Sequence, residues 1–446
     1  MPLMNFAKTT KYLYSLGHET LAIKLGLRNT ELLLESLDSP HKSFESIQIA
    51  GTNGKGSTAV VLDSICRAAG IHTGLYTSPH LVSITERIRI AGNEIPKDSF
   101  AKYASEVRIA SNSLITGGIL AALPTFFEQV TAIAFLAFRE ADIRLAILET
   151  GLGGRLDATT VAGAETVAIT PLALDHQEYL GETLAEIAAE KAAIIRAGVT
   201  AIIAPQPPQA LDVILRRLVE CNVQPSVAEY ESKIESVTDH GRFVVTFETN
   251  EGRYEEVSLG LRGEHQIVNT AVAIRLAESL RQRGFEIPGT SIIRGIETAR
   301  HPGRLELLSG HPSVLFDGAH NPSGAQALRE YLDEFVKGPL TIVFGAMNDK
   351  RLEEIAAILF PRADQLILTR PDNARAAGIG TLRDLAASTV ATQKTISSQS
   401  VTEALQRARE VTPPDGLICV TGSLYLIGEI KTIMGTAALA EVGARV

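Results

Sequence analysis

The chain has 446 residues, of which 45% are hydrophobic and 21% are charged, and its formal net charge is −9. This length predicts two or three domains, and the composition excludes a disordered or fibrous protein. The acidic balance argues against a broad basic surface, so we expect no nucleic-acid partner.

Neither the cysteines nor the apolar stretches indicate secretion or membrane insertion. The three cysteines lie far apart and form neither a metal-type pair nor a disulfide framework, which suits a reducing compartment. The N-terminus lacks the regions of a signal peptide. The most apolar long stretch, 114–138, is interrupted by proline and polar residues and is expected to form buried helix plus loop. We therefore expect a cytoplasmic protein with no membrane partner.

The first part of the chain alternates short apolar runs with helical patterns. This alternation predicts an α/β fold with a mostly parallel sheet covered on both faces. A helix is expected after the first strand through Ala69 and another over 184–196. The run 243–248 and the stretch near Tyr254 predict a hairpin appended to the sheet. The predicted strands are 46–50, 72–77, 145–150, 166–170 and 200–205.

A second strand–helix series follows a Pro-Gly turn at 300–304, which predicts a linker. We expect one domain over 1–297 and a smaller α/β domain over 298–446. The predicted strands of the second domain are 313–317, 340–345, 365–369 and 417–423, with helices over 326–335 and 401–411.

The strongest motif is a glycine-rich loop, GTNGKGST (51–58), between a predicted strand and a predicted helix. Glycines let the backbone N–H groups converge on phosphate oxygens, and the helix N-terminus adds free donors. Lys55 can reach the β- and γ-phosphates, and Ser57 or Thr58 can support a metal. The spacing is shorter than in a standard P-loop. The alternative is a glycine turn that only joins strand to helix.

The strand ends suggest a metal site at the same edge of the sheet, where Glu149 and the pair Asp175-His176 would face one crevice. Glu149 ends a predicted strand, where a carboxylate would face the ligand crevice and could bind Mg²⁺. It could instead be a solvated strand-end glutamate. His176 follows the next strand, although a lone histidine is more often structural. Lys191 lies in a helical segment, where a lysine usually pairs with an acid such as Glu190. Lys191 is a candidate only with support from outside the residue pattern.

Eleven blocks along the chain together resemble the folylpolyglutamate synthase/dihydrofolate synthase family of Mur ligases. They run in the family's order from near the N-terminus almost to the end. The blocks are GTNGKGS (51–57), TSPHL (77–81), ERIRI (86–90), TFFE (125–128), GLGGRLDAT (151–159), LDHQEYLG (174–181), EKAAIIR (190–196), GEHQIVNTAVA (263–273), HPGRLE (301–306), DGAHNP (317–322) and TGSLYL (421–426).

The resemblance implies an ATP site between two domains and a pair of Mg²⁺ ions. Lys191 would carry a carbamate, which no sequence shows, and would act with Lys55 and His320 in catalysis. The metal ligands would be Ser78, Glu149 and His176. The ATP contacts would be Thr52, Asn53, Gly54, Lys55, Gly56, Ser57, Asn269, Arg304 and Asp317. The substrate contacts would be Ala22, Ile23, Lys24, Leu25, Thr125, Phe126, Phe127, Glu128, Leu156, Asp157, Ala158 and Ser423.

Some positions depart from the family pattern. Thr150 stands where valine is frequent, Thr160 where asparagine is usual, and Ala193 where glycine is usual. Lys24 occupies a position that is often aspartate in bifunctional members, so activity on dihydropteroate is a weaker expectation than activity on a folate.

The family's chemistry predicts an ATP-dependent ligase acting on a folate or dihydropteroate and L-glutamate. The acid attacks the γ-phosphate of ATP, and the amine of glutamate then displaces phosphate from the acyl phosphate. Domain closure would exclude water. We expect a monomer. Two alternatives remain open: a cell-wall Mur ligase that acts on a UDP-linked acid, and a non-catalytic nucleotide-binding module.

Overall fold

The computed structural model describes residues 3–17, 26–224, 226–227, 230–238, 240–389 and 394–443. Two parallel-rich sheets, one on either side of the segment 299–305, organise these residues. The fold is α/β, as the alternation of strands and helices predicts.

The first sheet contains, near its centre, the strand that precedes the glycine-rich loop. Its strands are β1 (Glu45–Ala50), β2 (Thr73–Tyr76), β3 (Ile88–Ile90), β4 (Asn93–Glu94), β5 (Leu145–Glu149), β6 (Thr166–Ile169), β7 (Thr200–Ile203) and β8 (Ser226–Val227). They lie in the order β4-β3-β2-β5-β1-β6-β7-β8. In this spatial order, the neighbouring strands from β2 through β5, β1, β6 and β7 to β8 pair parallel. Strand β3 pairs antiparallel with both β2 and β4. The carboxyl ends of β1, β5 and β6 therefore meet at one edge.

Helices cover both faces of this sheet, since its central strands are buried and apolar. Those of the first part of the chain are α1 (Phe6–Ser15), α2 (Arg28–Glu35), α3 (Lys55–Ala68), α4 (Lys97–Thr116), α5 (Phe126–Glu140), α6 (Gln177–Leu180), α7 (Leu184–Ala192), α8 (Pro208–Glu220), α9 (His265–Gln282) and α10 (Gly289–Thr298). Residues of α3, α9 and α10 share one core, and residues of α1, α2, α4 and α5 share the core on the opposite face. None of the helices in the described ranges is long and apolar enough to cross a membrane.

Two expectations about this half are corrected. The helix predicted over 184–196 ends at Ala192, after which i→i−3 bonds continue the turn and bury Ile194 and Ile195. The predicted hairpin forms, but it joins no strand of the main sheet.

The hairpin belongs to a separate sheet of three strands, β9 (Tyr230–Val237), β10 (Phe243–Thr249) and β11 (Gly252–Ser258), in the order β11-β10-β9. Phe243, Val245 and Phe247 bury its inner face in the core that contains α9 and α10. Packing on helices, rather than pairing with the edge of the main sheet, therefore decides where the hairpin lies.

The second sheet has six strands, five of them parallel. They are β12 (Glu306–Leu308), β13 (Ser313–Asp317), β14 (Leu340–Phe344), β15 (Gln365–Leu368), β16 (Thr395–Ser397) and β17 (Leu417–Thr421), in the order β12-β13-β17-β14-β15-β16. Its helices are α11 (Pro322–Phe335), α12 (Leu352–Leu359), α13 (Ile379–Thr389), α14 (Val401–Val411) and α15 (Leu424–Gly443). The four predicted strands and the two predicted helices are present, whereas the edge strands β12 and β16 were not predicted.

The two halves of the molecule touch at several points. The Tyr331 hydroxyl donates to the His240 carbonyl at 3.1 Å, and the rings of Phe243 and Phe335 meet edge to face. On α15, Gly428 lies directly against the backbone of Leu81. A cavity lies between the carboxyl ends of the two sheets.

Candidate active site

A cavity of about 470 Å³ lies between the two halves and is lined by residues of both. The first half contributes the glycine loop, the end of β5 and the segment after β6. The second half contributes the segment after β13, the start of α11 and the turn after β17. Parallel strands send the loops that follow them to this edge, where open α/β sheets bind ligands.

The glycine loop turns tightly between β1 and α3. The N–H groups of Thr52 and Asn53 donate to the Pro171 carbonyl, which fixes the loop against the strand-end segment after β6. Gly54 has φ +87°, a left-handed conformation that glycine adopts freely, and a Cβ there would lie 2.1 Å from the Asn269 amide oxygen. The first turn of α3 therefore presents its unsatisfied N–H groups to the cavity.

Lys55 begins α3, and its ammonium folds back to donate to the Thr52 carbonyl at 3.3 Å. Gly56 and Ser57 also line the cavity, and Asn269 closes the loop from α9. The predicted nucleotide contacts of the first half therefore lie together. A flexible cation above a helix N-terminus suits a polyphosphate.

Glu149 ends β5 inside the cavity and is buried. Its carboxylate accepts the Ser78 N–H at 3.1 Å, so two of the predicted metal ligands are adjacent. Burial raises the pKa of Glu149, while the positive charge of Lys55 opposes this rise. A buried carboxylate with few donors is suited to a cation. Within the described residues, no group of three His, Cys, Asp or Glu side chains could hold a metal ion alone.

His176 has a left-handed backbone with φ 52°, which turns its ring toward the cavity. Its buried Nδ1 has no hydrogen-bond partner. Burial lowers the pKa of His176 to about 3, so the imidazole is neutral at pH 7. A neutral ring with an unused nitrogen can act as a metal ligand.

Lys191 is buried on α7, and its ammonium donates to the Gly51 carbonyl at 2.8 Å. Burial, aided by the charge of Lys55, lowers the pKa of Lys191 to about 7, against the opposite influence of Asp175 and Asp157. The expected partner Glu190 instead pairs with Arg155 at 2.9 Å. The side chain of Lys191 thus points toward the glycine loop, and its lowered pKa makes its proton easier to remove than that of an exposed lysine.

The second half brings Arg304, Asp317, His320 and Ser423 to the cavity. The Asp317 carboxylate accepts the N–H groups of Leu305 and Ala319, so it also holds the local backbone. The hydroxyl of Ser423 accepts the Tyr425 N–H at the start of α15. Burial raises the pKa of Asp317, with nearby Arg304 opposing the rise.

The predicted substrate end of the cavity is only partly as expected. Thr125, Phe127 and Glu128 line it, and so do Leu156, Asp157 and Ala158. Ala22, Ile23, Lys24 and Leu25 lie outside the described residues.

Phe126 does not line the cavity. Its buried ring stacks on Tyr14 at 5.8 Å, under the Arg87 guanidinium. The apolar period of α5, in which Phe126 precedes Val130 and Ile133, places it on the core face of that helix.

Two acidic residues at this end have local structural partners. Glu128 accepts the Thr125 N–H and the Thr30 hydroxyl, which fixes the start of α5 against α2. Asp157 accepts the N–H groups of Gly151 and Leu152 and so fixes the glycine turn after β5. Both therefore shape the cavity wall.

Residues 49–277 match the Mur ligase middle domain family, and residues 303–424 match the Mur ligase glutamate ligase domain family. A Mycobacterium tuberculosis dihydrofolate synthase/folylpolyglutamate synthase is 33% identical over 92% of this chain and 90% of its own length. An Escherichia coli enzyme of the same description is 36% identical over 77% of this chain and 76% of its own length. The chain belongs to the folylpolyglutamate synthase/dihydrofolate synthase family.

Solved structures of the family agree with the fold described above. A Mycobacterium tuberculosis folylpolyglutamate synthase complexed with ADP superposes with a TM-score of 0.89 at 30% identity, over 96% of this chain and 98% of that one. An Escherichia coli FolC in complex with DHPP and ADP has a TM-score of 0.85 at 31% identity, over 98% and 100% of the two chains. These similarities confirm the Mur-ligase fold that the motifs predict.

The chain spans about half the length of two haloarchaeal relatives. One, a probable bifunctional folylpolyglutamate synthase/dihydropteroate synthase of Haloferax volcanii, is 33% identical over 96% of this chain and 50% of its own length. The other, of the same description, is from Halobacterium salinarum and is covered over 49% of its length.

Four further residues of this cavity were given no role from the sequence, although Asp175 was expected to face it by position. His301 lies between the halves, and its Nδ1 is 3.2 Å from the Ser57 hydroxyl. Asp175, Asn321 and Lys350 form a polar cluster beside His176. Three of them lie in blocks that carry the resemblance, 174–181, 301–306 and 317–322, but only the fold brings them to Ser57 and to one another.

Proposed function

We propose that this chain joins L-glutamate to the carboxylate of a folate, and also of dihydropteroate, at the expense of ATP. The observation that carries the proposal is a single cavity with a phosphate loop on one side and Arg304 and Asp317 on the other. ATP between these walls would present its γ-phosphate to an acid bound near Phe127.

The chemistry requires a phosphoryl transfer and then an amide-forming step. The carboxylate attacks the γ-phosphate and releases ADP, and the acyl phosphate then loses phosphate when the glutamate amine attacks its carbonyl carbon. The N-terminal turn of α3 and Lys55 would orient the phosphates and neutralise their charge. His301 and Arg304 from the other wall would help exclude water.

The residues present fit Mg²⁺, which prefers hard oxygen ligands and keeps substrate phosphates in its shell. Glu149, with Ser57 and Ser78, would hold one ion, and His176 with a carbamate on Lys191 would hold another. When bound, the ions would neutralise charge on the phosphoryl and acyl groups. No complete protein cage is present among the described residues, so each ion would complete its shell with phosphate oxygens of the nucleotide.

We further propose that Lys191 is carbamylated. Its amine is buried beside Gly51 and near His176, where a permanent cation would repel a metal ion. A carbamate reverses that charge and supplies oxygen ligands. The lowered pKa of about 7 supports the reaction, because CO₂ adds only to the unprotonated amine.

Glutamate recognition would use the cations on the far wall. Lys350 and Arg375 line the cavity, and each already faces a carboxylate, Asp175 at 2.8 Å and Asp349 at 3.7 Å. Two cations suit the two carboxylates of glutamate. Ser423 offers a hydroxyl on the same side.

The decisive experiment is ADP release and amide formation by the purified chain. Tetrahydrofolate and dihydropteroate are supplied separately, each with and without L-glutamate, and a UDP-muramoyl acid is the comparison substrate. We expect glutamate-dependent turnover with tetrahydrofolate and also with dihydropteroate. Turnover only with the UDP-linked acid would move the chain to the cell-wall branch, and ADP release without any amide product would refute the ligase assignment.

The remaining proposals concern the state of the protein. We propose that it acts as a monomer, because one chain supplies a cavity lined from both halves by the expected nucleotide contacts. We propose that it is cytoplasmic, because its three separated cysteines suit a reducing compartment. Light scattering at working concentration tests the monomer, and cell fractionation tests the compartment.

A further inference from the structure

The carboxylate of Asp175, on the segment after β6, is surrounded by side chains of the other half of the molecule. The Lys350 ammonium lies 2.8 Å from one carboxylate oxygen. The Asn321 amide donates to the second oxygen at 3.2 Å, and His320 Nε2 lies 3.5 Å from the same oxygen. Three residues from two different loops of the second sheet thus converge on one acid of the first half.

The same cluster reaches the phosphate loop and the proposed metal site. The Asn321 amide also donates to the Asn53 side-chain oxygen at 3.0 Å. Asp175 accepts the backbone N–H of His176 at 2.9 Å. The position of the second half is therefore tied directly to the loop expected to hold ATP and to the turn that orients His176.

The pair is sheltered from water, with side-chain exposures of 9% for Lys350 and 8% for Asp175. A buried ion pair adds little net stability, because desolvation of both charges offsets their attraction. Breaking it is costly, since one charge is left buried without a partner. Such a pair therefore specifies one arrangement of the two halves more than it stabilises either half.

We propose that Asp175 is a positioning residue that fixes the second half over the phosphate loop and holds Lys350 toward the reaction site. When the halves separate, Lys350, His320 and Asn321 all lose their common partner. When the halves close, the hydrogen bond from Asn321 to Asn53 would fix the phosphate loop as well. The kinetic part of this proposal rests on the proposed ligase function, whereas the geometric part does not.

The geometric test is a distance between the halves. Spin labels are attached to Val219→Cys on α8 and Arg409→Cys on α14, both exposed positions, in a Cys221→Ser background in which the other two cysteines are buried. With a non-hydrolysable ATP analogue, we expect one narrow distance population. Asp175→Asn should add a second, longer population. Lys350→Gln should do the same, and the double variant should be no more open than either single one.

The kinetic test separates positioning from simple destabilisation. Asp175→Asn should raise the KM for glutamate and lower the amide formed per ADP released by about 10-fold or more, because a misplaced second half admits water. Asp175→Glu should recover part of the coupling, and Asp212→Asn, an exposed acid on α8, should behave as wild type.

Two outcomes would overturn the proposal. One is an unchanged distance distribution in both Asp175→Asn and Lys350→Gln. The other is wild-type coupling of ADP release to amide formation in a folded Asp175→Asn protein. If Asp175→Asn fails to fold, the distance distribution of Lys350→Gln decides whether the proposal stands. If the wild-type chain ligates nothing, the proposed function fails, and the distance measurement still decides the role of Asp175.

Discussion

At the scale of single residues, two lysines contact the same loop but differ in their exposure to solvent. Lys55 lies partly open at the start of α3 and donates to Thr52, so it is available to a polyphosphate. Lys191 is fully enclosed and donates to Gly51 from the other side. Burial lowers the pKa of Lys191, whereas partial exposure leaves Lys55 accessible to a ligand.

Lys55→Ala should lower the rate of ADP release by about 100-fold or more, since it removes a cation from the phosphates undergoing transfer. The fold should be unchanged, because this side chain covers no core. The measurements are steady-state ADP release and thermal unfolding of the same preparation. Near-normal turnover in the variant would mean that ATP does not bind at this loop.

Lys191→Met should change how stability depends on pH. The folded pKa of about 7 lies below the unfolded value of 10.5, so between these values the unfolded chain binds more protons. The contribution of Lys191 to the stability of the unmodified wild type therefore rises with pH above 7. We expect the difference in unfolding free energy between variant and wild type to shift by roughly 2–3 kcal/mol from pH 6 to pH 9.

The measurement is urea unfolding without metal, nucleotide or bicarbonate. The exposed Lys337→Met serves as the control and should show no such shift. If the unfolding free energies of wild type and Lys191→Met depend on pH in the same way, the pKa of the buried Lys191 amine is not lowered. In a separate activity assay, adding bicarbonate and Mg²⁺-ATP should restore turnover to wild type but not to Lys191→Met. Intact-mass measurement of the wild type should detect the carbamate.

At the scale of elements, the join between β1 and α3 sets the geometry of the phosphate loop. The loop backbone is fixed by Pro171 on one side and by Asn269 of α9 on the other. The turn therefore has no room for a side chain at Gly54, and its shape depends on two neighbouring elements as well as on its own glycines.

Gly54→Ala should weaken nucleotide binding by about 10-fold or more, because the new methyl group meets the Asn269 amide and displaces the loop. Gly70→Ala is the matched control, since Gly70 also has a positive φ, +77°, but has no atom within 4 Å of the added Cβ. The control should lose only about 1 kcal/mol of stability to backbone strain. Titration with a fluorescent ATP analogue and thermal unfolding separate the two effects, and equal nucleotide affinity in both variants would refute the steric argument.

At the scale of the whole molecule, the closeness of the two halves depends on small residues where they meet. Gly428 of α15 lies so close to Leu81 that an added Cβ would fall 1.9 Å from the Leu81 carbonyl oxygen. Leu81 also packs among apolar residues of the second half. Neither residue lines the cavity, so a change here would act on the spacing of the two halves and not on a ligand contact.

Gly428→Ala should push α15 away from Leu81 and lower kcat/KM by about 10-fold or more, since both walls must contact ATP. Gly435 lies on the same helix, and no atom lies within 4 Å of a Cβ added there. Gly435→Ala should therefore retain activity and gain up to about 1 kcal/mol of stability from helix propensity. Activity assays and small-angle scattering with bound nucleotide compare the two. Full activity in Gly428→Ala would show that this contact does not set the spacing of the halves.

The sequence alone determined the parts of the protein that depend on neighbours along the chain. The alternation of apolar runs with helical patterns predicted the central strands of both sheets, because burial of parallel strands requires continuous apolar segments. The glycine loop before α3 was predicted from its local chemistry. The family's motifs placed Glu149, His176 and Lys191 near this loop, and all three line one cavity.

The tertiary structure decided what depends on distant parts of the chain. Asp175 and Lys350 are 175 positions apart, and only the packing of the two halves brings their charges together. Phe126 and Phe127 are adjacent and chemically equal, yet one packs on Tyr14 and the other faces the cavity. The three-stranded sheet packs on α9 and α10 because its apolar face needs a buried surface. Periodicity and loop chemistry are local properties, whereas burial and charge pairing are settled only when distant segments meet.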